Sequence, residues 1–509
     1  MAIRARQAGG RRRDVPGSDR SALIWVGALL LYAVLAWGLL TQIRLPSAMH
    51  LVVLIMAAGI LVMTSIRVEL GVFGLAVIMP FSRPGFTLGD PKLFHVSGFN
   101  VALIGVFLAY TLRYFLDDSF AEGGPFIRST KVDLLLLLFG ALFVFSALAA
   151  FNYNETIYQR MMLGLSIKNQ VLQLLWFYML VSIMRRPEDV RNVVVAFAIA
   201  GFLAALFGMF DRISGGSNQI TAGTQSAELA AGAGGRLRGG WFGLGHPNMF
   251  GGLLLLTMPF WFFMVSHLER AWQRLAAEAA VVVGFLGLLF TYSRSAWLGS
   301  LAGLSLIGLA DKNSLKRIIV FGILFAIVAQ GTVYLTTRQS LVEVVVSRFE
   351  QLQESDFSSR PEIYKSAAAV VRSHPWLGVG PGMFRYHAPP TPDGLRPQHA
   401  HNVFYQFAGE AGLPAAVLFV IFFGALINFA RRNLRIVPAA KEYAFIALGA
   451  GAAIIAITAQ MMAVEVFQQE ILGFAIYALA AVIVTLDRMW EEGVFEAPTP
   501  APPADGVGR

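Results

Sequence analysis

The sequence predicts an all-α, polytopic membrane protein of about 12–14 transmembrane helices with one large loop between them. Three observations carry that reading. Apolar runs of roughly 17–25 residues, each long enough to cross a bilayer as a helix, recur along nearly the whole chain. Charged residues make up 14% of the 509 residues, against about 25% in ordinary soluble domains. Mean hydropathy is +0.62, so the length does not translate into two or three soluble domains.

Taken in order, the first apolar run covers Ser21–Gln42, after a basic segment, residues 1–20, expected to lie in the cytoplasm. The run is longer than a signal-peptide core and no small-residue cleavage site follows, so it reads as a retained helix. Short runs at Leu51–Ile66 and Leu70–Phe81 flank Arg67, and others follow at Val101–Leu116, Val132–Phe151, Val171–Ile183 and Val193–Phe210. A Gly/Ser/Ala-rich connection near residues 213–248 interrupts the series. It resumes at Met249–Ser266, Ala276–Tyr292, Ala296–Leu309 and Ile318–Tyr334, which closes a first membrane block spanning residues 21–335. A long polar loop, residues 336–401, precedes a second block at 402–488, with runs at Val403–Phe429, Ala444–Met462 and Ile471–Leu486. Residues 489–509, with Ala497-Pro498-Thr499-Pro500-Ala501-Pro502-Pro503, read as a disordered cytoplasmic tail.

The net charge of +9 resembles a nucleic-acid signal, but the basic residues sit in short connections between apolar runs. That is the distribution of topology determinants, and it argues against a nucleic-acid partner. With the N-terminus inside and the runs alternating, the inside connections receive Arg185, Arg186 and Arg191, then Arg270 and Arg274, then Lys312, Lys316 and Arg317, then Arg431, Arg432, Arg435 and Lys441. Outside connections of similar shortness hold few. The absence of cysteine excludes disulfides, a thiolate nucleophile and sulfur-ligated metal.

The same alternation puts the unusual polar residues on the extracytoplasmic face, where ionisable groups at a membrane edge usually serve function. One motif is Arg236-Leu237-Arg238-Gly239-Gly240-Trp241-Phe242-Gly243-Leu244-Gly245-His246-Pro247-Asn248. Glycines let backbone N–H groups approach an anion, guanidinium forks bind phosphate oxygens, and Pro247 and Asn248 suit a helix entry. A loop whose arginines rest at the lipid headgroups is the structural alternative. A second motif, Thr291-Tyr292-Ser293-Arg294-Ser295, holds an arginine at the membrane boundary with almost no loop. Snorkelling to lipid and gripping a substrate phosphate both fit that residue type.

The large loop carries Arg360-Pro361-Glu362, a stretch of helical composition from Glu362 to Val371, and Pro375-Trp376-Leu377-Gly378-Val379-Gly380. That glycine run lacks the strand–turn–helix context of a dinucleotide site. Trp376, Phe384 and Tyr386 are expected to form a small core for the loop, with sugar stacking as the other use. The loop ends at Gln398-His399-Ala400-His401-Asn402, immediately before an apolar run. A neutral imidazole there is suited to act as a base; a polar helix cap is the structural alternative. His399 and His401 share a face only in an extended segment. No acidic or cysteine ligand stands at a zinc spacing, so no metal is expected. Asp90, Lys92 and His95 in an early outside loop carry no motif.

These motifs, in this order, resemble the O-antigen ligase family of bacterial polysaccharide assembly. Its signature is His, then Asn, Ser or Gln, nine residues, Gly, two residues, and Gly, Thr or Tyr. His401-Asn402 and Gly412 fit; Ala415 departs at the last position. The Arg-x-x-Gly before His-Pro-Asn, the Ser-Arg turn and the Pro-x-Leu-Gly-Val-Gly segment are similar too, so the likeness spans about Arg236 to Gly412.

The resemblance implies a GT-C-like, metal-independent, inverting glycosyltransferase without a cofactor, in the bacterial inner membrane with its active site on the periplasmic face. The donor would be a glycan on undecaprenyl pyrophosphate and the acceptor lipid A core or another glycan. Arg236 or Arg238, with Arg294, would hold the pyrophosphate, and His401 would take the acceptor's proton. Asn402, His399, Glu410 and Arg360 would support the site, with Glu410 and Glu465 as second candidates for the base. The same donor site would serve a repeat-unit polymerase. A transporter or lipid flippase is the reading from another class, although no internal repeat supports it.

Overall fold

A computed structural model of the chain describes residues 58–64, 66–81, 85–87, 95–121, 124–151, 156–213, 246–310, 312–337, 340–350, 360–392, 394, 396–440, 443–464 and 469–495. In chain order its helices are α1 (Val68–Ile78), α2 (Gly98–Leu116), α3 (Asp118–Ala121), α4 (Asp133–Phe151), α5 (Ile157–Ile183), α6 (Pro187–Ile213), α7 (Pro247–His267), α8 (Ala271–Phe290) and α9 (Arg294–Ala310). They continue with α10 (Lys312–Thr337), α11 (Leu341–Glu350), α12 (Arg360–Ser373), α13 (Phe384–His387), α14 (Val403–Asn433), α15 (Ile436–Ala439), α16 (Ala444–Met461) and α17 (Glu470–Glu491). One departure from an all-helical chain is a two-stranded antiparallel ribbon, β1 (Gly85–Thr87) and β2 (His95–Ser97), which pairs Phe86 with Val96.

Among the described residues, six segments are long and apolar enough to cross a bilayer: Phe99–Leu116, Asp133–Phe151, Pro187–Phe210, Ala271–Phe290, Val403–Asn433 and Glu470–Glu491. The protein is a polytopic, helical membrane protein. Every apolar run read from the sequence falls at least partly on helix, except Ser21–Gln42, which lies outside the described residues. Residues 1–20 and 496–509, Arg236, Arg238, Asp90, Lys92 and Glu465 lie outside them as well.

At the centre is α17, buried from Ile471 to Asp487 on every side. A helix that is apolar all round is stable only when wrapped by others. Two neighbours bond its polar groups: Gln170 of α5 donates to the Tyr477 hydroxyl at 2.8 Å, and Asn433 of α14 donates to the Ile483 carbonyl at 2.9 Å. Beside it, α9 lies on α16 through Gly299 and Gly303. A Cβ at these positions would stand 2.6 Å from the Ala456 carbonyl oxygen and 2.9 Å from that of Ala452. The small residues let two helix backbones touch, the packing that membrane helices use where lipid supplies no hydrophobic drive.

Helix ends gather in two sets. At one, Lys131 before α4 bonds Asp487 of α17 at 3.2 Å, Arg432 of α14 meets Asp487 at 3.1 Å, and both cations reach Glu491. At the other, Ser146 of α4 donates to the Glu410 carbonyl of α14 at 2.7 Å, and Asn402 donates to the Met462 carbonyl after α16 at 2.9 Å. Helices α4 and α14 therefore run antiparallel between the two ends.

Among its described residues, the segment 336–401 carries helices. α10 reaches Thr337, and α12 occupies the stretch of helical composition and stops two residues before Pro375. A second, small core holds it: Val370, Val379, Met383 and Phe384 pack with Ala150 of α4 and Leu163 of α5, and Tyr386 leans against them. Trp376 is not part of that core, contrary to expectation; it is 75% exposed. The reason is that this turn buries its backbone, not its ring, as the site shows.

Candidate active site

The first turn of α14 is built by its own polar residues. Asn402 caps it, its side-chain oxygen accepting from the N–H groups of Phe404 (2.9 Å) and Tyr405 (3.2 Å). Asparagine suits this position because its short carbonyl satisfies donors the helix leaves open. Gln406 reaches back to accept from the Ala400 N–H at 2.7 Å and forward to donate to Glu410 at 2.8 Å. His401 is thereby fixed between two anchored neighbours, half-buried, with φ of 50°. That left-handed backbone also breaks the extended register in which His399, itself half-buried, would share its face.

Ten residues after Asn402, α14 breaks. Gly412 has φ 88° and ψ 165°, and Pro414 follows. In a continuous helix the Leu413 N–H would bond the Gly409 carbonyl, and residue 414 that of Glu410. Here Leu413 donates to Pro375 at 2.8 Å, and proline has no N–H to give. The loop supplies the missing donors: Val379 N–H to Gly409 and Gly380 N–H to Glu410, both at 2.9 Å, with the Ser146 hydroxyl as a second donor to Glu410. An unwound turn inside a membrane is tolerable only when its polar groups find such partners.

The Glu410 side chain completes the clamp. It is 2% exposed, and it accepts from the backbone N–H groups of Gly382 and Phe384 as well as from Gln406. Glycines 378, 380 and 382 all have positive φ, which turns successive N–H groups toward the broken helix. A Cβ at Gly378 would stand 2.3 Å from the Glu410 carbonyl carbon. The glycine run is thus a cradle for a piece of this chain's own helix.

Arg294 is the first residue of α9. Thr291 Oγ1 accepts from the Ser293 N–H at 3.1 Å, and the Trp297 ring nitrogen donates to the Leu288 carbonyl at 3.0 Å, pinning the turn from both sides. Tyr292 takes φ of 50°. Among the described residues, Tyr292 and His401 are the two non-glycine residues with positive φ. Each costs roughly 1–2 kcal/mol, and strain of this kind concentrates at functional sites.

Three helix N-termini meet here, around the C-terminal end of α16. His246 caps α7, accepting from the Asn248 N–H at 3.2 Å, with Pro247 as first helical residue. The Asn248 carbonyl accepts from Gln460 of α16 at 2.7 Å. A Cβ at Gly251, one turn into α7, would stand 2.7 Å from that of Ala296, which places the Arg294 turn beside it. Asn402 bonds Met462, which brings in α14. A fourth start, that of α12 with Arg360, lies near through Tyr364, whose ring stacks on Tyr405 at 5.6 Å. Helix N-termini carry partial positive charge and bind anions. A cation such as Arg294 at this position adds to that field.

Gln460, Met462, Ser146 and the N–H groups of Gly382 and Phe384 were not singled out from the sequence. Gln460 and Ser146, each a polar residue in an apolar run, left a signal there. His374 and His387 stand 6.1 Å apart, ring to ring, and burial together with His374 pulls His387 below the usual histidine value. Among the described residues, no three His, Asp or Glu side chains converge to hold a metal.

Residues 279–420 match the family model described as O-Antigen ligase (Wzy_C). The match takes in Arg294, Arg360, His399, His401, Asn402, Glu410 and Gly412, and it begins after the Arg236–Arg238 segment. Over that stretch the chain is similar to the O-antigen ligase family, and the likeness supports an assignment of the ligase and polymerase type. No curated protein sequence matches the chain.

Proposed function

We propose that this protein is an O-antigen ligase-type glycosyltransferase. It moves a glycan from undecaprenyl pyrophosphate to a sugar hydroxyl of lipid A core or another glycan, at the periplasmic face of the bacterial inner membrane. The observation that carries the reading is the family match joined to the meeting of three helix N-termini around Arg294 and His401.

In this reading Arg294, with Arg236 or Arg238, neutralises the pyrophosphate of the donor. The leaving group then departs against guanidinium forks and helix dipoles. His401, held in the same pocket of field, takes the proton from the acceptor hydroxyl as it attacks the anomeric carbon. One displacement inverts that centre. Glu410 is enclosed by three donors, which favours His401 as the base and Glu410 as the residue that holds α14 to the loop.

The test is transfer by purified protein in detergent, with chelator, from a lipid-linked oligosaccharide to lipid A core, a second lipid-linked repeat, or a peptide, read by mass. Core glycosylation establishes the ligase; growth of the lipid-linked chain makes it a polymerase. No transfer to any acceptor, with His401→Ala indistinguishable from the parent, overturns both and favours transport.

A further inference from the structure

At the end of the bundle away from His401, arginines gather that the proposed reaction does not use. Arg128 precedes α4, Arg185 lies between α5 and α6, and Arg488 is on α17. Arg185 donates Nη1 to the Phe120 carbonyl at 3.1 Å and Nε to the Ser182 carbonyl at 3.3 Å; its Nη2 is buried and makes no well-formed hydrogen bond, with the Tyr110 hydroxyl as a polar neighbour of the guanidinium. Arg488 donates Nη2 to the Met184 carbonyl at 2.9 Å, and its Nε and Nη1 are buried with no hydrogen-bond partner. The acid in reach of it, Glu492, stands 3.8 Å away and is 53% exposed. Arg128 joins the group through its N–H to Ser182 Oγ at 3.1 Å, within electrostatic reach of both other guanidiniums.

Like charges brought together with buried, unused donors need an anion with several oxygens. Room for one is present. A cavity of about 380 Å³ is lined by Ser129, Thr130, Lys131, Arg488, Phe429 and Val484. The acids on its wall, Asp487 and Glu491, are already paired with Lys131 and Arg432. Close to Arg128 in sequence, Ile127 is 55% exposed, and Phe115 and Leu116 at the end of α2 are 69% and 55% exposed. An apolar skirt beside an anion site fits an amphiphile better than a free ion.

We propose that Arg128, Arg185 and Arg488, with the adjoining cavity, bind the phosphate headgroup of a membrane lipid, at a site separate from the one around His401. Phosphate chemistry is shared by lipid and free ion; the apolar rim favours the lipid.

The full-length protein in detergent tests this with three probes: phosphatidylglycerol, diacylglycerol with the same tails, and inorganic phosphate. Phosphatidylglycerol should be retained in native mass spectra and raise the melting temperature, while diacylglycerol and phosphate at equal concentration should not. The double variant Arg185→Gln, Arg488→Gln should bind phosphatidylglycerol at least tenfold more weakly. Equal binding by that variant, or by diacylglycerol, overturns the proposal, as does full competition by inorganic phosphate. Should the variant fail to fold, a photoactivatable phosphatidylglycerol on the parent protein decides. Adducts on peptides spanning 126–131 and 484–492 support the site; adducts confined to 399–405 overturn it.

Discussion

Gly412 lies directly beneath the carbonyl of Trp376: a Cβ added to Gly412 would stand 2.0 Å from that oxygen. Its φ of 88° is also a conformation that side chains resist. Gly412→Ala should therefore displace the 375–377 turn and destabilise the protein by more than the roughly 1–2 kcal/mol of backbone strain alone. Thermal unfolding in detergent, with protease cleavage in residues 374–384 as a local readout, checks this.

Glu410→Gln keeps the shape but turns an amide NH₂ toward donors. One of the Gly382, Phe384 and Gln406 N–H groups then faces another donor, at a cost of about 1–3 kcal/mol. Amide exchange at 379–384 should quicken, and activity should fall without a change in the pH profile. A shifted profile would mean that Glu410, not His401, moves the proton.

His401→Ala should abolish transfer, a loss of about 10²–10⁴-fold for a general base, while the protein stays inserted and folded. Full activity of this variant rejects the assignment.

Arg294→Lys keeps the charge but loses the fork, and activity should drop roughly tenfold, worth about 1.4 kcal/mol. Equal rates for arginine and lysine would mean that the residue only snorkels to lipid.

His387 is held below the usual histidine value by burial and by His374. The folded loop disfavours its protonated form, so the unfolded chain takes up the proton first. Stability from this group is complete above pH 6.5 and declines as pH falls below it. The 374–388 segment should be cleaved faster at pH 5 than at pH 8, and His374→Gln should narrow that difference.

Much of the fold was legible because membrane helices announce themselves by length and apolarity, and those signals are local. The helical stretch after Arg360 and the entry at His246-Pro247-Asn248 were legible through turn and cap chemistry. The hand-over of hydrogen bonds at Gly412 was not, because it joins residues thirty or more positions apart, Pro375 to Leu413 and Val379 to Gly409. Trp376 was misread for the same reason: its type signals a buried ring, yet tertiary contact buries its carbonyl. Arg294 and His401 stood out by residue type; that their turns share one backbone conformation needed coordinates.

The clamp on α14 has a consequence for biogenesis. Residues 375–382 leave the ribosome before α14 does, so the donors for the broken turn exist when that helix arrives. Synthesis in the reverse order, as in a circular permutant beginning at 403, would present lipid with an unwound turn and nothing to receive it. Such a permutant should insert poorly even if every helix were intact.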